Sequence, residues 1–188
     1  MTTTAETSAL ARHFVEMARQ NVWANDRLHA ACARLSNADR TAARTSFFGS
    51  IHRTLAHILI VDLYYVGTLA DGRAPYPAED AEDHHPDFNA LRAAQAATDR
   101  RLLGYCEALT SERLAGDVVF ERDGGRMVGE HVADVLPHLF LHQVHHRGQV
   151  HAMLSGTPVA PPQLDEYFLC MDTQLRATEL RRLGLPVR

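Results

Sequence analysis

Along the first 35 residues apolar and polar positions recur with the period of a helix. Leu10, Phe14, Met17, Asn21, Ala24, Leu28, Ala31 and Leu35 lie three and four apart, which sets them on one face of a helix of roughly seven turns. Asn21 is the polar exception on that face. A second helix is predicted to begin between Ser46 and Ser50 and to stop at Asp71-Gly72, with Phe48, Ile51, Leu55, Ile58 or Leu59, and Tyr65 facing inward. The segment APYPAEDAEDHHP, residues 74–86, mixes proline, acid and histidine, and reads as an exposed crossover whose acidic residues are solvated. Pro86-Asp87 then introduces a third helix, with Phe88, Leu91, Gln95, Thr98, Leu102, Cys106 and Leu109 on one stripe. In VVFERDGGRMV, apolar residues flank Asp123-Gly124-Gly125, the signature of a short hairpin that must lean on the helices. A fourth helix is expected from about residue 130 to Ser155, where Gly156 and Pro158 end it, and Pro137 should kink it or mark its first turn. A fifth is expected from Pro162 to about Leu183, with Leu164, Phe168, Met171 and Leu175 at helical spacing.

Four long helices with one long crossover predict an all-α fold: a four-helix bundle with a short β-hairpin before the fourth helix and an added C-terminal helix. A chain of 188 residues, 46% of them hydrophobic, fills one sizeable core, so a single domain over residues 1–188 is expected. No internal repeat or low-complexity segment interrupts it.

Charge and cysteine usage narrow the functional classes. The formal net charge is −4 and no basic block would neutralise a row of phosphates, so nucleic acid is not an expected partner. All 19 basic residues are arginine, a usage that carries no mechanism. Cys32, Cys106 and Cys170 are odd in number and far apart, without a CxxC, which fits a reducing cytoplasm. The N-terminal MTTTAETSAL lacks the basic start and apolar stretch of a signal peptide, and the longest apolar run, residues 55–70, is interrupted by His57 and Asp62. A cytoplasmic protein with no membrane partner is expected.

The candidate chemistry is concentrated in HLFLHQVHHRGQVH, residues 138–151, where five of fourteen positions are histidine. Histidine is a mediocre helix former and costly to bury unless its ring nitrogens find partners. Asp134, His138, His142 and His146 follow one another at a spacing of four and so stand on one face, beside an apolar face of Leu136, Phe140 and Val144. Two neutral imidazoles four apart can chelate one divalent ion, with bonds of roughly 2.0–2.1 Å for zinc. His57, in the middle of TLAHILIVD on the second helix, is the best further ligand. His52 points about 140° away from it and should face solvent or a dimer partner. The spacing leaves two overlapping pairs, 138/142 and 142/146, and a hydrated polar face would show the same pattern.

QNVWANDRL at residues 20–28, SFFGSIHRTLAHILIVDLYYVGTL and HLFLHQVHHRGQVHAML together resemble the DinB family of bacterial metal-binding four-helix bundles, in consistent order from about residue 10 to 170. The first block stands where a YNxWANxRL pattern is often seen. The resemblance implies that the metal ligands are His57, His142 and His146, with His138 and His145 outside the coordination sphere. This chain has Leu141 where an Asn often precedes the first histidine of the last pair. The family takes its name from damage-inducible genes and shares it with a translesion polymerase whose size and charge this chain lacks. Related proteins include mycothiol-dependent maleylpyruvate isomerase and bacillithiol transferases, and a similar domain supplies iron ligands in ergothioneine-forming sulfoxide synthases. The resemblance thus implies a divalent metal (Zn, Ni, Fe or Mn), a low-molecular-weight thiol as a further cofactor, and a homodimer.

Three protein ligands leave a coordination position open, as catalytic rather than structural sites do. A cation there stabilises thiolate over thiol, so the expected function is a metal-dependent, thiol-using transferase or isomerase acting on a small electrophile through a metal-bound thiolate. The alternative is a non-catalytic metal-binding stress-response protein. A di-iron carboxylate bundle would need ExxH pairs on helices, and the sole ExxH, Glu82 to His85, falls in the crossover. Asn21, on the inward face of the first helix, is a weak catalytic candidate that could orient water or substrate; a register-fixing buried amide is an equal reading. Asp62 would be a carboxylate partner for an imidazole only on another helix. Trp23 and Asn25 fall off the inward stripe and suggest packing or capping, and Gly148 suggests a close helix crossing.

Overall fold

The computed structural model describes residues 8–78, 81–84 and 87–187. Most of the N-terminal MTTTAETSAL, two of the crossover's acids, and His85 and Pro86 therefore lie outside the described residues. Helix accounts for 67% of the described residues, with one small two-stranded antiparallel sheet among them.

The long helices begin and end where capping chemistry allows. Ser8 caps α1 (Ala9–Ala33) by accepting a hydrogen bond from the Ala11 N–H, and Ser50 does the same for Arg53 at the start of α3 (Ile51–Asp71). The left-handed Gly72, at φ 80°, terminates α3. A short α2 (Asn37–Thr41) lies between them. Asp87 caps α4 (Phe88–Glu107), and every member of the stripe expected from Phe88 to Leu109 is buried. After α5 (Ser111–Ala115), the strands β1 (Asp117–Glu121) and β2 (Met127–His131) pair with Val119 opposite Gly129, turning through the left-handed Gly124 and Gly125. Phe120 buries itself in the main core, and the Tyr64 hydroxyl on α3 donates to the Glu121 carbonyl at 2.7 Å. The hairpin is thereby held to the helices, as a two-stranded piece must be.

α6 (Val132–Leu154) starts before Pro137, which sits inside it. Pro137 is therefore not the first turn. Leu136 and Phe140 are buried, but Val144, expected on the same apolar face, is exposed.

The C-terminal helix is shorter than its periodicity suggests. α7 runs only from Thr173 to Arg182, after a 3-10 turn at Cys170–Asp172, and Phe168, Met171 and Leu175 are exposed. The buried Arg176 donates to the backbone carbonyls of Glu166 and Leu169, at 2.6 and 3.0 Å. A side chain thus satisfies the stretch that the pattern assigned to helix, and the face α7 turns inward is Arg176, Ala177 and Leu180.

α1 and α3 each pack against α4 and α6. Two apolar clusters fill the space between the four long helices. One gathers Phe14, Trp23, Tyr64, Leu102 and Leu139; the other gathers Leu28, Leu55, Leu59, Leu91, Val150 and Leu154. α1 and α6 run from the first cluster to the second, whereas α3 and α4 run the opposite way. The start of α4 therefore lies at the opposite end of the helices from the end of α3, and the 3-10 turn at Ala81–His84 between them packs on α3.

α3 is long and apolar enough to cross a membrane by composition, but 67% of that stretch is buried in the protein. It is a core helix.

Candidate metal centre

Between the two apolar clusters lies a layer of buried polar side chains: Asn21 and Asn25 from α1, Asp62 from α3, Gln95 and Asp99 from α4, Gln143 and Arg147 from α6. Asp99 Oδ1 accepts from Asn21 at 3.1 Å, Asn25 at 2.9 Å and Gln95 at 3.0 Å. Asp62 Oδ2 accepts from Gln95 at 2.7 Å and from Gln143. The Arg147 guanidinium donates to the side-chain oxygens of Asn21, of Asn25 at 3.1 Å and of Gln143 at 3.1 Å. Burial pushes Asp62 up to about 7, while burial and repulsion from Asp62 push Asp99 up to about 8. Two buried carboxyls facing one buried guanidinium thus retain a proton near neutrality.

At the edge of this layer three imidazoles converge. His57 from α3 and His142 and His146 from α6 place a ligand nitrogen each within 4.8 Å of one another. Their ring centroids are 5.1 Å (57 to 142), 4.7 Å (57 to 146) and 4.4 Å (142 to 146) apart. Phe48, in the turn that leads into α3, stacks on His57 at 4.0 Å and leans on His146 at 5.5 Å, closing one side.

Hydrogen bonds at the far ring nitrogens set up the near ones. His57 Nδ1 lies 2.9 Å from Glu82 Oε1 and His146 Nδ1 lies 3.0 Å from Gln149 Oε1. An acceptor at Nδ1 holds the proton there and leaves Nε2 as a lone pair. His57 Nε2 then faces His142 Nε2 at 3.1 Å, and the buried His142 Nδ1 has no hydrogen-bond partner. Burial, with the neighbouring imidazoles, holds His142 down at about 3, and burial lowers His146 as well. Neutral, inward-pointing lone pairs with too few donors are what a divalent cation satisfies, so the residues present fit a metal ion.

A cavity of about 340 Å³ opens beside His57 and His142, walled by Tyr64, Tyr65, Tyr76, Glu82, Arg122 and His138. The site therefore has room for a small molecule next to the imidazoles.

Of the overlapping pairs in the helix-four motif, the cluster contains 142/146 with His57. His138 lies along the cavity wall against Tyr65, 5.3 Å between ring centroids, and His145 meets Gln149 at 3.0 Å. Asn21 belongs to the buried layer and is not among the residues that wall the cavity. Asp62 bonds Gln95 and Gln143 rather than a histidine. Asn25 is bonded within the same layer, while Trp23 is buried against Tyr167 and donates to Glu179 at 2.8 Å. His52, expected to face solvent or a partner, is instead buried, at 6% exposed. A Cβ on Gly148 would meet nothing within 4 Å, so no close crossing depends on it. Leu141 is exposed.

Sequence reasoning missed Glu82, whose carboxylate was expected to be solvated with the rest of the crossover. The signal available was indirect: a histidine in the middle of an apolar helix needs an acceptor for its second nitrogen.

A mostly helical protein with a three-histidine cluster between two of its long helices is the class that fold and site define. The model of the DinB family matches residues 1–177, and the chain belongs to that family. No curated protein matches it.

Proposed function

We propose that His57, His142 and His146 hold one divalent cation (Zn, Ni, Fe or Mn) and that the protein is a thiol-using transferase or isomerase acting on a small electrophile. The observation that carries this reading is the convergence of three imidazoles beside a cavity large enough for a substrate. Imidazole suits all four metals, with selection set by geometry and supply. When bound, the cation supplies stabilisation of the thiolate form of an entering thiol.

The chain's own groups have definite tasks. Glu82 and Gln149 fix the tautomers of His57 and His146. Phe48 shields the imidazoles on one side, and the tyrosines of the cavity present an apolar wall to the carbon skeleton of the substrate. In the transferase the thiol's proton passes to solvent, its sulfur forms a new bond to carbon, and the leaving group departs with the displaced electron pair.

The ring of contacts among α1, α4, α3 and α6, with the start of α4 at the opposite end of the helices from the end of α3, supports a four-helix bundle with one long crossover. Free Cys32, Cys106 and Cys170 support a reducing, cytoplasmic setting. We further propose a homodimer without nucleic-acid or membrane partners; the exposed Leu141 and Val144 on α6 support an apolar contact there.

The test is metal content by mass spectrometry on protein purified without a tag or chelator, wild type beside His142→Ala, followed by thiol titration of the metal's absorption spectrum. One equivalent that vanishes in the variant and a spectrum that shifts with thiol are expected. Metal without a thiol response would favour the non-catalytic metal-binding reading, and a wild type that cannot be loaded would overturn both.

A further inference from the structure

The cavity beside the imidazoles carries one full cation of its own. Arg122, at the end of β1, lines it together with His57 and His142. The backbone fixes its position, since Arg122 N–H donates to the Arg126 carbonyl at 2.7 Å across the hairpin turn. The phenols of Tyr64 and Tyr65 wall the same cavity. Tyr64 spends its own proton on the Glu121 carbonyl. The Tyr65 hydroxyl, on the same wall, has no hydrogen-bond partner among the described residues.

No carboxylate answers Arg122 among the described residues. Glu121, its chain neighbour, pairs with Arg73 at 3.0 Å. Glu82, the acid on the same cavity, lies against His57 Nδ1 at 2.9 Å. Glu130 and Asp134 share with Arg122 a separate recess of about 210 Å³, and neither makes an ion pair with it. A guanidinium that is half-buried and lines a cavity together with two phenols, one of them with an uncommitted hydroxyl, is a fork for a planar anion. The remaining wall is mostly apolar, Ile60, Val61, Tyr76, Pro77 and Ala78, with His138 beside Tyr65.

We infer that this cavity takes a small organic carboxylate, bound through Arg122 and Tyr65, with the rest of the molecule lying between the tyrosines and the three histidines. This rests on the proposed function for its chemistry, and it names the substrate class of that site. The carboxylate belongs either to the thiol or to its reaction partner, since each would pass through the same cavity. A neutral molecule would leave the Arg122 fork unpaired, so acids should be preferred over their esters.

The experiment uses cobalt-loaded protein, titrated with 3-mercaptopropionate and with its methyl ester while the thiolate-to-metal absorption is followed. A parallel titration of the metal-free protein with succinate follows backbone amide NMR shifts of Tyr65 and Arg122. Wild type is expected to bind the acid about tenfold or more tightly than the ester. Arg122→Gln should abolish that preference with ester affinity and cobalt content unchanged, and Tyr65→Phe should reduce it. Succinate should give saturable shifts that Arg122→Gln removes; an acid preference in the thiol arm alone assigns the carboxylate to the thiol. Equal binding of acid and ester together with no succinate shifts overturns the inference, as does a preference that persists in Arg122→Gln, which would place the carboxylate on the metal. Failure to load cobalt overturns the metal reading instead, and the succinate arm then decides the anion site alone.

Discussion

Two pairs of residues, one position apart on α6, have opposite fates. His142 and His146 present ring nitrogens to a cavity, whereas Gln143 and Arg147 reach into the layer between the apolar clusters. Each pair is spaced by four, and a turn of about 100° per residue separates them. In the inner layer the donors meet acceptors: Arg147 reaches the oxygens of Asn21, Asn25 and Gln143, and Asp99 collects amide N–H groups from α1 and α4, while the two oxygens without a partner, Asp62 Oδ1 and Gln95 Oε1, are left for the proton that the buried carboxyls hold. The outer cluster is short of protons: His57 Nε2 and His142 Nε2 lie 3.1 Å apart and can share at most one between them, and His142 Nδ1 has no partner. Polar groups that satisfy one another specify how the helices meet; polar groups left short of donors are a place for a ligand.

The largest expected effect breaks the inner layer. Arg147→Met removes the guanidinium and leaves the side-chain oxygens of Gln20, Asn21, Asn25 and Gln143 and the buried carboxyls without their cation. Loss of about 3–5 kcal/mol in a denaturant melt is expected, with metal still bound at temperatures where the variant is folded. Replacing a histidine should do the reverse. His142→Ala is expected to lower metal affinity by at least about 100-fold, beyond what loss of a ligand's hydrogen-bond partner costs, while the metal-free protein melts as wild type does or slightly higher. If His142→Ala destabilised the metal-free protein as much as Arg147→Met, the two regions would not differ in kind.

How much of this was readable without coordinates depends on whether a residue's partner lies on its own helix. The α4 stripe and the caps at Ser50 and Asp87 are local patterns, and they fall where the periodicity sets them. His142 and His146 share a face by spacing alone, although choosing them over His138 took the resemblance. The inner layer was visible only in fragments. Asn21 and Gln95 stood on inward stripes, but Asn25 fell off its stripe and Asp99 was not singled out. Only the opposed directions of the helices bring these residues to one level. Residues 162–169 failed for a similar reason: the carbonyls of Glu166 and Leu169 are met by Arg176, a long side chain from α7, and no period in the sequence encodes that.

Glu82 is the sharpest case, and it predicts an intermediate effect. Because α3 and α4 run in the same direction, the start of α4 lies at the opposite end of the helices from the end of α3, and the 3-10 turn between them brings the carboxylate to His57. Glu82→Ala frees His57 to adopt the other tautomer, so metal affinity should drop about tenfold. Stability of the metal-free protein should scarcely change, since the residue lies on an outer turn. Isothermal titration with zinc in a competing chelator measures the first quantity and a thermal melt the second.

The smallest effect concerns protons in the inner layer. Asp62 and Asp99 ionise near 4 in the unfolded chain but are raised to about 7 and about 8 when folded. Between those values the folded protein holds protons that the unfolded chain has released, so stability is lost as pH rises from about 4 to about 8. His29 acts in the opposite sense. Burial holds it down at about 4, so it costs stability as pH falls from about 6.5 to 4, and offsets part of the carboxyl slope there. From pH 6.5 to 8 the carboxyl effect stands clear of His29. The coupled pair shares one proton, released across that interval, so stability of the metal-free protein should fall by roughly 1 kcal/mol. Asp62→Asn, which keeps an acceptor for Gln95 and Gln143 and cannot ionise, should flatten the fall, whereas an unchanged slope would mean that the layer holds no shared proton.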